Sequence, residues 1–147
     1  MVESESQQVG MIDGFTCVKT LGCGATSKVK LMKNAQGKLF AFKVYDLRYK
    51  KKALEILRNE AKSYNWLKHP NIIRFYELNE SAIYHKKDGR EVEVAYMSLE
   101  YISGGELFYY VQAKPFSEEI CRFYYKQMCS ALKFIHDKKY AHRDLKP

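Results

Sequence analysis

The sequence predicts an α+β fold, in which a five-stranded antiparallel sheet carries one helix and is followed by a helical segment. Three observations lead there: five short runs of β-type residues separated by turn chemistry, one amphipathic helical stretch among them, and a longer amphipathic stretch towards the C-terminal side.

The first two strands are expected at residues 15–21 and 29–32, around a turn that contains Gly22 and Gly24. A third, over 39–45, follows the turn Asn34-Ala35-Gln36-Gly37. From 51 to 67, Leu54, Leu57, Ala61, Tyr64 and Leu67 recur at helical spacing while Lys52, Glu55, Arg58 and Lys62 take the other faces, so this stretch reads as a helix ending before His69-Pro70-Asn71. Two more extended runs, 75–85 and 92–101, flank Lys86-Lys87-Asp88-Gly89-Arg90, whose Asp-Gly step is a hairpin signal. Gly104-Gly105 breaks the last strand, and a short helix is expected over 106–112. Ser117 is placed to cap a longer helix whose first turn holds Glu118 and Glu119. That helix carries Ile120, Tyr124, Met128, Ala131, Leu132 and Ile135 on one side, a stripe that needs a partner surface.

Composition narrows the class of function. Hydrophobic residues make up 46% of the 147 and aromatic residues 14%, too much buriable surface for a disordered chain. No apolar run approaches the roughly 20 residues of a membrane span, and residues 1–8 are polar and acidic rather than basic and then apolar, so no membrane span and a cytosolic or nuclear location are expected. Cys17, Cys23, Cys121 and Cys129 form no C-x-x-C pair and have no histidine at zinc-finger spacing, so reduced thiols are expected and no metal site. The net charge of +8 raises a polyanion partner, but Arg48 with Lys50, Lys51 and Lys52 is the only tight basic cluster, and no nucleic-acid partner is expected.

The chemistry-bearing residues fall in order along the chain. Gly22-Cys23-Gly24-Ala25-Thr26-Ser27-Lys28-Val29 lies between two strands, where missing side chains let backbone N–H groups approach polyphosphate oxygens. A dinucleotide fingerprint needs a helix after the glycines and a P-loop needs Gly-Lys-Ser/Thr at its end, so a phosphate-covering hairpin remains. In Phe40-Ala41-Phe42-Lys43-Val44, alternation puts Ala41 and Lys43 on one face. Glu60, three residues after Leu57 and four before Tyr64, lies close to the apolar stripe of its helix, where a carboxylate is costly unless a cation meets it. Lys43 is the expected partner, and such a pair would aim the ammonium at a phosphate.

Together, Leu21-Gly22-Cys23-Gly24 through Val29, Ala41-Phe42-Lys43, Glu60, and Leu67-Lys68-His69-Pro70-Asn71-Ile72-Ile73 resemble the small lobe of the protein kinase family. Tyr140-Ala141-His142-Arg143-Asp144-Leu145-Lys146-Pro147 resembles its catalytic loop, and Met97 to Leu107 resembles the hinge between its lobes. The resemblance covers residues from about 12 to 147 and is closest to the calcium/calmodulin-dependent and AMP-activated groups of serine/threonine kinases.

The resemblance implies a polar leader at 1–11, a small lobe at 12–99, a hinge at 100–103 and the start of a helical large lobe at 104–147, truncated in the catalytic loop. It implies ATP and Mg2+ as cofactors, a protein serine or threonine hydroxyl as acceptor, and catalytic roles for Asp144, on the proton of that hydroxyl, and Lys146, on the transferred phosphoryl group. ATP would be held by Leu21, Gly22, Gly24, Ser27, Val29, Ala41, Lys43 and Glu60, by backbone groups of Glu100 and Ile102 at the adenine edge, and by Glu106, which would reach the ribose or a basic residue of a peptide substrate. Leu99 would stand as gatekeeper behind the adenine. Ser27 departs from the family pattern, standing at the position of its third glycine. The asparagine, Asp-Phe-Gly and Ala-Pro-Glu that the pattern places later, among them the Mg2+ ligands, fall beyond residue 147, so these 147 residues alone are expected to be close to inactive. The alternative is a non-catalytic nucleotide-binding or kinase-interacting module.

Overall fold

The computed structural model describes residues 9–146, without the side chains at 49 and 50, so most of the expected leader and Pro147 lie outside the described residues. The chain divides into two compact units. One holds Met1–Asn65 and Phe75–Tyr101, the other Trp66–Arg74 and Ile102–Pro147.

In the first unit the strands are β1 (Met11–Ile12), β2 (Phe15–Cys23), β3 (Ser27–Lys33), β4 (Leu39–Asp46), β5 (Phe75–His85) and β6 (Glu91–Glu100), with helix α1 (Lys50–Tyr64) between β4 and β5. All neighbouring strands pair antiparallel, in the order β1-β2-β3-β4-β6-β5, and β1 pairs back onto β5. The expected five-stranded sheet is therefore corrected to six strands closed into a barrel. The added strand has two residues, too few to display alternation. It is made by Asp13-Gly14, whose φ values of 46° and 78° form the tight two-residue turn that matches strand twist. Asp13 then anchors the turn, accepting hydrogen bonds from Asn79 Nδ2 at 2.7 Å and Tyr96 Oη at 3.0 Å.

Alternation along β4 divides the core in two. Phe40, Phe42 and Val44 pack with Ile12, Met32, Val94 and Tyr96, and Phe42 stacks on Tyr96 with ring centroids 4.4 Å apart. Tyr45, on the opposite face, packs with Leu47, Ala95 and Met97 and with Ala53 and Leu57 of α1. Helix α1 buries Ala53, Leu57 and Ala61, one residue per turn. It ends at Tyr64, three residues before the pattern predicts, because Trp66 joins the second unit and packs its ring 4.4 Å from that of Tyr140.

The second unit contains α2 (Leu107–Ala113) and α3 (Glu118–Asp137). Ser117 caps α3 as the sequence predicts, its hydroxyl accepting from the Ile120 N–H at 3.4 Å. His69 reaches Ser130 Oγ at 3.1 Å and lies against Phe134, while Asn71 Nδ2 donates to Gln127 Oε1 at 2.9 Å. These contacts seat the segment before β5 on α3. No residue of α3 is buried.

Candidate functional site

The β2–β3 hairpin leaves its glycine backbone open. A side chain at Gly22 would meet nothing within 4 Å, and one at Gly24 would meet the Ser27 carbonyl at 3.5 Å in ordinary contact. Neither glycine has the positive φ that demands glycine, unlike Gly14 or Gly37. The turn itself therefore does not explain them, and the bare backbone is available to a ligand that must approach closely, as a polyphosphate does. Gly24 N–H closes the turn on Ser27 O at 2.8 Å. Leu21 falls at the irregularity in register between Thr20 and Gly22, partly exposed.

Lys43 and Glu60 form the ion pair that the position of Glu60 on its helix calls for. The Lys43 ammonium donates to Glu60 Oε1 at 2.6 Å and to Oε2 at 2.7 Å. The two side chains remain 28% and 29% exposed, enough for the ammonium to meet a second anion. Tyr45, two residues along β4 on the same face, donates its hydroxyl to Glu60 Oε2 at 2.6 Å. Burial pushes the Tyr45 phenol far above its ordinary range, and the Glu60 carboxylate adds to the rise. Tyr64 is raised as well, by burial and then by the same carboxylate. Sequence reading passed over Tyr45. The signal for it was its two-residue spacing from Lys43, which places a hydroxyl beside the lysine.

The register puts the expected adenine-facing residues on the face that bears Lys43. Val29 pairs with Lys43, Leu31 with Ala41, and Ala41 with Leu99, and cross-strand partners share a face. Val29 and Ala41 are partly exposed, and Leu99 packs against the Tyr45 and Met97 cluster. Glu100 closes β6 opposite Phe40.

The remaining residues of the expected site belong to the second unit. Ile102 is 50% exposed. Glu106 occupies the cap position of α2 in extended conformation, and its side chain makes no capping hydrogen bond. Residues 140–146 form no regular element. Arg143 has a φ of 64°, the Asp144 N–H donates to His142 Nδ1 at 3.3 Å, and the Lys146 ammonium lies 3.3 Å from Asp144 Oδ2. Both of these charged side chains are about three-quarters exposed, at 73% for Lys146 and 75% for Asp144. Among the described residues, no three His, Cys, Asp or Glu side chains gather where they would hold a metal ion.

The protein kinase domain family matches residues 15–147. The chain is 37% identical over 148 residues to the mitosis inducer protein kinase cdr1 of Schizosaccharomyces pombe. It is 34% identical over 148 residues to maternal embryonic leucine zipper kinase of Danio rerio, and 35% identical over 152 residues to CBL-interacting protein kinase 1 of Oryza sativa subsp. japonica. Each alignment takes in 99% of this chain but only 22%, 20% and 30% of the respective relative, so the chain spans less than a third of the proteins it matches.

Proposed function

The chain belongs to the protein kinase family, and on that premise we propose that it serves ATP-dependent phosphorylation of serine and threonine hydroxyls on proteins. The observation that carries this reading is the Lys43–Glu60 pair on the face that Val29, Ala41 and Leu99 share, in the sheet whose β2–β3 hairpin has its glycine backbone bare.

In this reading ATP, when bound, supplies the phosphoryl group. Gly22 and Gly24 let backbone N–H groups reach the phosphates, while Ser27 shapes the end of that hairpin. The Lys43 ammonium, oriented by Glu60, meets phosphate oxygens with a fixed positive charge. Leu21, Val29 and Ala41 cover the base, backbone groups of Glu100 and Ile102 pair with its edge, Leu99 limits the depth behind it, and Glu106 reaches the ribose. In the catalytic loop, Asp144 takes the proton of the acceptor hydroxyl and Lys146 steadies the transferred group. A lysine two positions after the aspartate favours serine and threonine acceptors over tyrosine. The cytosol or nucleus, where ATP and reduced cysteines coexist, is the location this reading implies.

A second reading is a module that binds nucleotide or a partner kinase without catalysis; what favours it is that Lys43 and Glu60 are paired within packed elements, whereas Asp144 and Lys146 lie on an irregular segment and are about three-quarters exposed, at 75% and 73%. One experiment separates them. The protein purified from its source is incubated with γ-labelled ATP and a serine/threonine peptide library, and nucleotide binding is measured in parallel. Label transfer that is lost in Lys43→Met and Asp144→Asn supports the kinase reading; binding without any transfer supports the module.

A further inference from the structure

Tyr45 is fully buried, with its ring wedged between β4 and α1 among Ala53, Leu57, Ala95 and Met97. A buried hydroxyl needs a partner, and this one has the Glu60 carboxylate at 2.6 Å. Glu60 is thus held by two donors from a single strand, Lys43 and Tyr45, spaced so that both side chains leave the same face. The two donors differ in rigidity. Lysine is a point charge on a flexible four-carbon stem, whereas the tyrosine has few rotatable bonds and burial locks them. Lysine must also share its charge with a phosphate once nucleotide binds. The tyrosine stays, so the carboxylate is never left half-buried with a departing partner. Ser27 stands directly opposite Tyr45 in the β3–β4 ladder. Strand β4 and helix α1 are joined through Tyr45 and Glu60.

We propose that Tyr45 is a positioning residue: its hydroxyl fixes the Glu60 carboxylate, so that the Lys43 ammonium is aimed before nucleotide arrives. What the ammonium is aimed at rests on the kinase reading above; the Tyr45–Glu60–Lys43 linkage does not.

The test uses the 147-residue chain as wild type, Tyr45→Phe, Glu60→Ala, the double variant, and Glu60→Gln with and without Tyr45→Phe. Circular dichroism confirms the fold, and two quantities are read: the dissociation constant for ATP, and the rate at which a small amine-acylating reagent labels Lys43, followed by peptide mass spectrometry. One hydrogen bond to a charged group corresponds to about a tenfold change, so Tyr45→Phe is expected to weaken ATP binding by about that factor and to speed labelling of Lys43. In the Glu60→Ala background both effects shrink to less than about twofold, whereas Glu60→Gln, which keeps an acceptor oxygen, preserves part of them. Equal effects of Tyr45→Phe with and without Glu60 overturn the proposal, as does an unchanged rate of Lys43 labelling in Tyr45→Phe. The kinase reading stands or falls by the transfer assay on the source protein; if the wild-type chain binds no ATP, the labelling rates alone decide whether Tyr45 positions Lys43 through Glu60.

Discussion

The two units of this chain handle apolar surface in opposite ways. The sheet unit closes on itself, burying Ile12, Met32, Phe42, Tyr45, Leu57 and Met97 completely. In the helical unit α3 buries nothing: Phe123 and Tyr125 are 61% and 64% exposed, and Ile120 and Met128 on its apolar stripe are above 40%, at 43% and 45%. The difference follows from how each kind of element finds partners. Strands of one sheet satisfy each other's backbone groups and, when the sheet closes, share one interior. An amphipathic helix satisfies its own backbone but needs a second surface for its stripe. The residues of the proposed site are divided along the same line, with Lys43 and Glu60 held by packed elements and Asp144 and Lys146 on an irregular exposed segment.

The sharpest way to break this comparison is through function. Asp144→Asn in the source protein is expected to lower phosphoryl transfer by about 10³-fold, the scale of a lost general base, while ATP affinity stays within about twofold. Lys43→Met is expected to impair both. A transfer assay paired with nucleotide titration checks this, and a parallel loss of ATP binding in the two variants would erase the division of labour.

Stability supplies the next largest contrast. Leu57→Ala removes a fully buried side chain and is expected to cost about 2–5 kcal/mol. Phe123→Ala, on the exposed face of α3, is expected to fall within about 0.5 kcal/mol. Urea unfolding of both variants measures the gap.

Ser117→Ala sharpens the comparison within the helical unit. Loss of the cap bond to the Ile120 N–H is expected to cost about 1 kcal/mol, seen as faster amide exchange in the first turn of α3 and no change in β4 or β6.

The smallest effect concerns alkaline pH. Burial raises the phenols of Tyr45, Tyr96 and Tyr84, the last to about 12. Groups whose folded pKa lies above the unfolded value of about 10 stabilise the fold fully below that pH and lose the contribution as pH rises through the folded value. The sheet unit is therefore expected to lose stability progressively above about pH 10, and Tyr45→Phe to flatten part of that slope. Unfolding midpoints at a series of alkaline pH values, with tyrosinate absorbance followed in parallel, test it.

Much of the fold was legible wherever local chemistry and short periods suffice. The Asp88-Gly89 hairpin, the alternation along β4, the Ser117 cap and the stripe of α1 all depend on residues within one turn or one strand. The Lys43–Glu60 pair was also legible, although the partners are seventeen residues apart, because a carboxylate beside an apolar stripe demands a cation. The barrel was not. Strand β1 has two residues, and its pairing with His85 and Tyr84 is a contact across more than seventy positions. Nor was the end of α1, since Leu67 continues the helical pattern while Trp66 is drawn to Tyr140.

The sequence by itself determined the order of the glycine hairpin, the strand lysine, the helix glutamate and the His-Arg-Asp-Leu-Lys-Pro segment, and with them the family. Tertiary structure alone decided that the sheet closes and that Tyr45 joins the Lys43–Glu60 pair. Periodicity reports which face a residue takes, but not which distant group shares that face. Closure and hydrogen-bond partnership depend on long-range register, which is set only when the strands and helix pack.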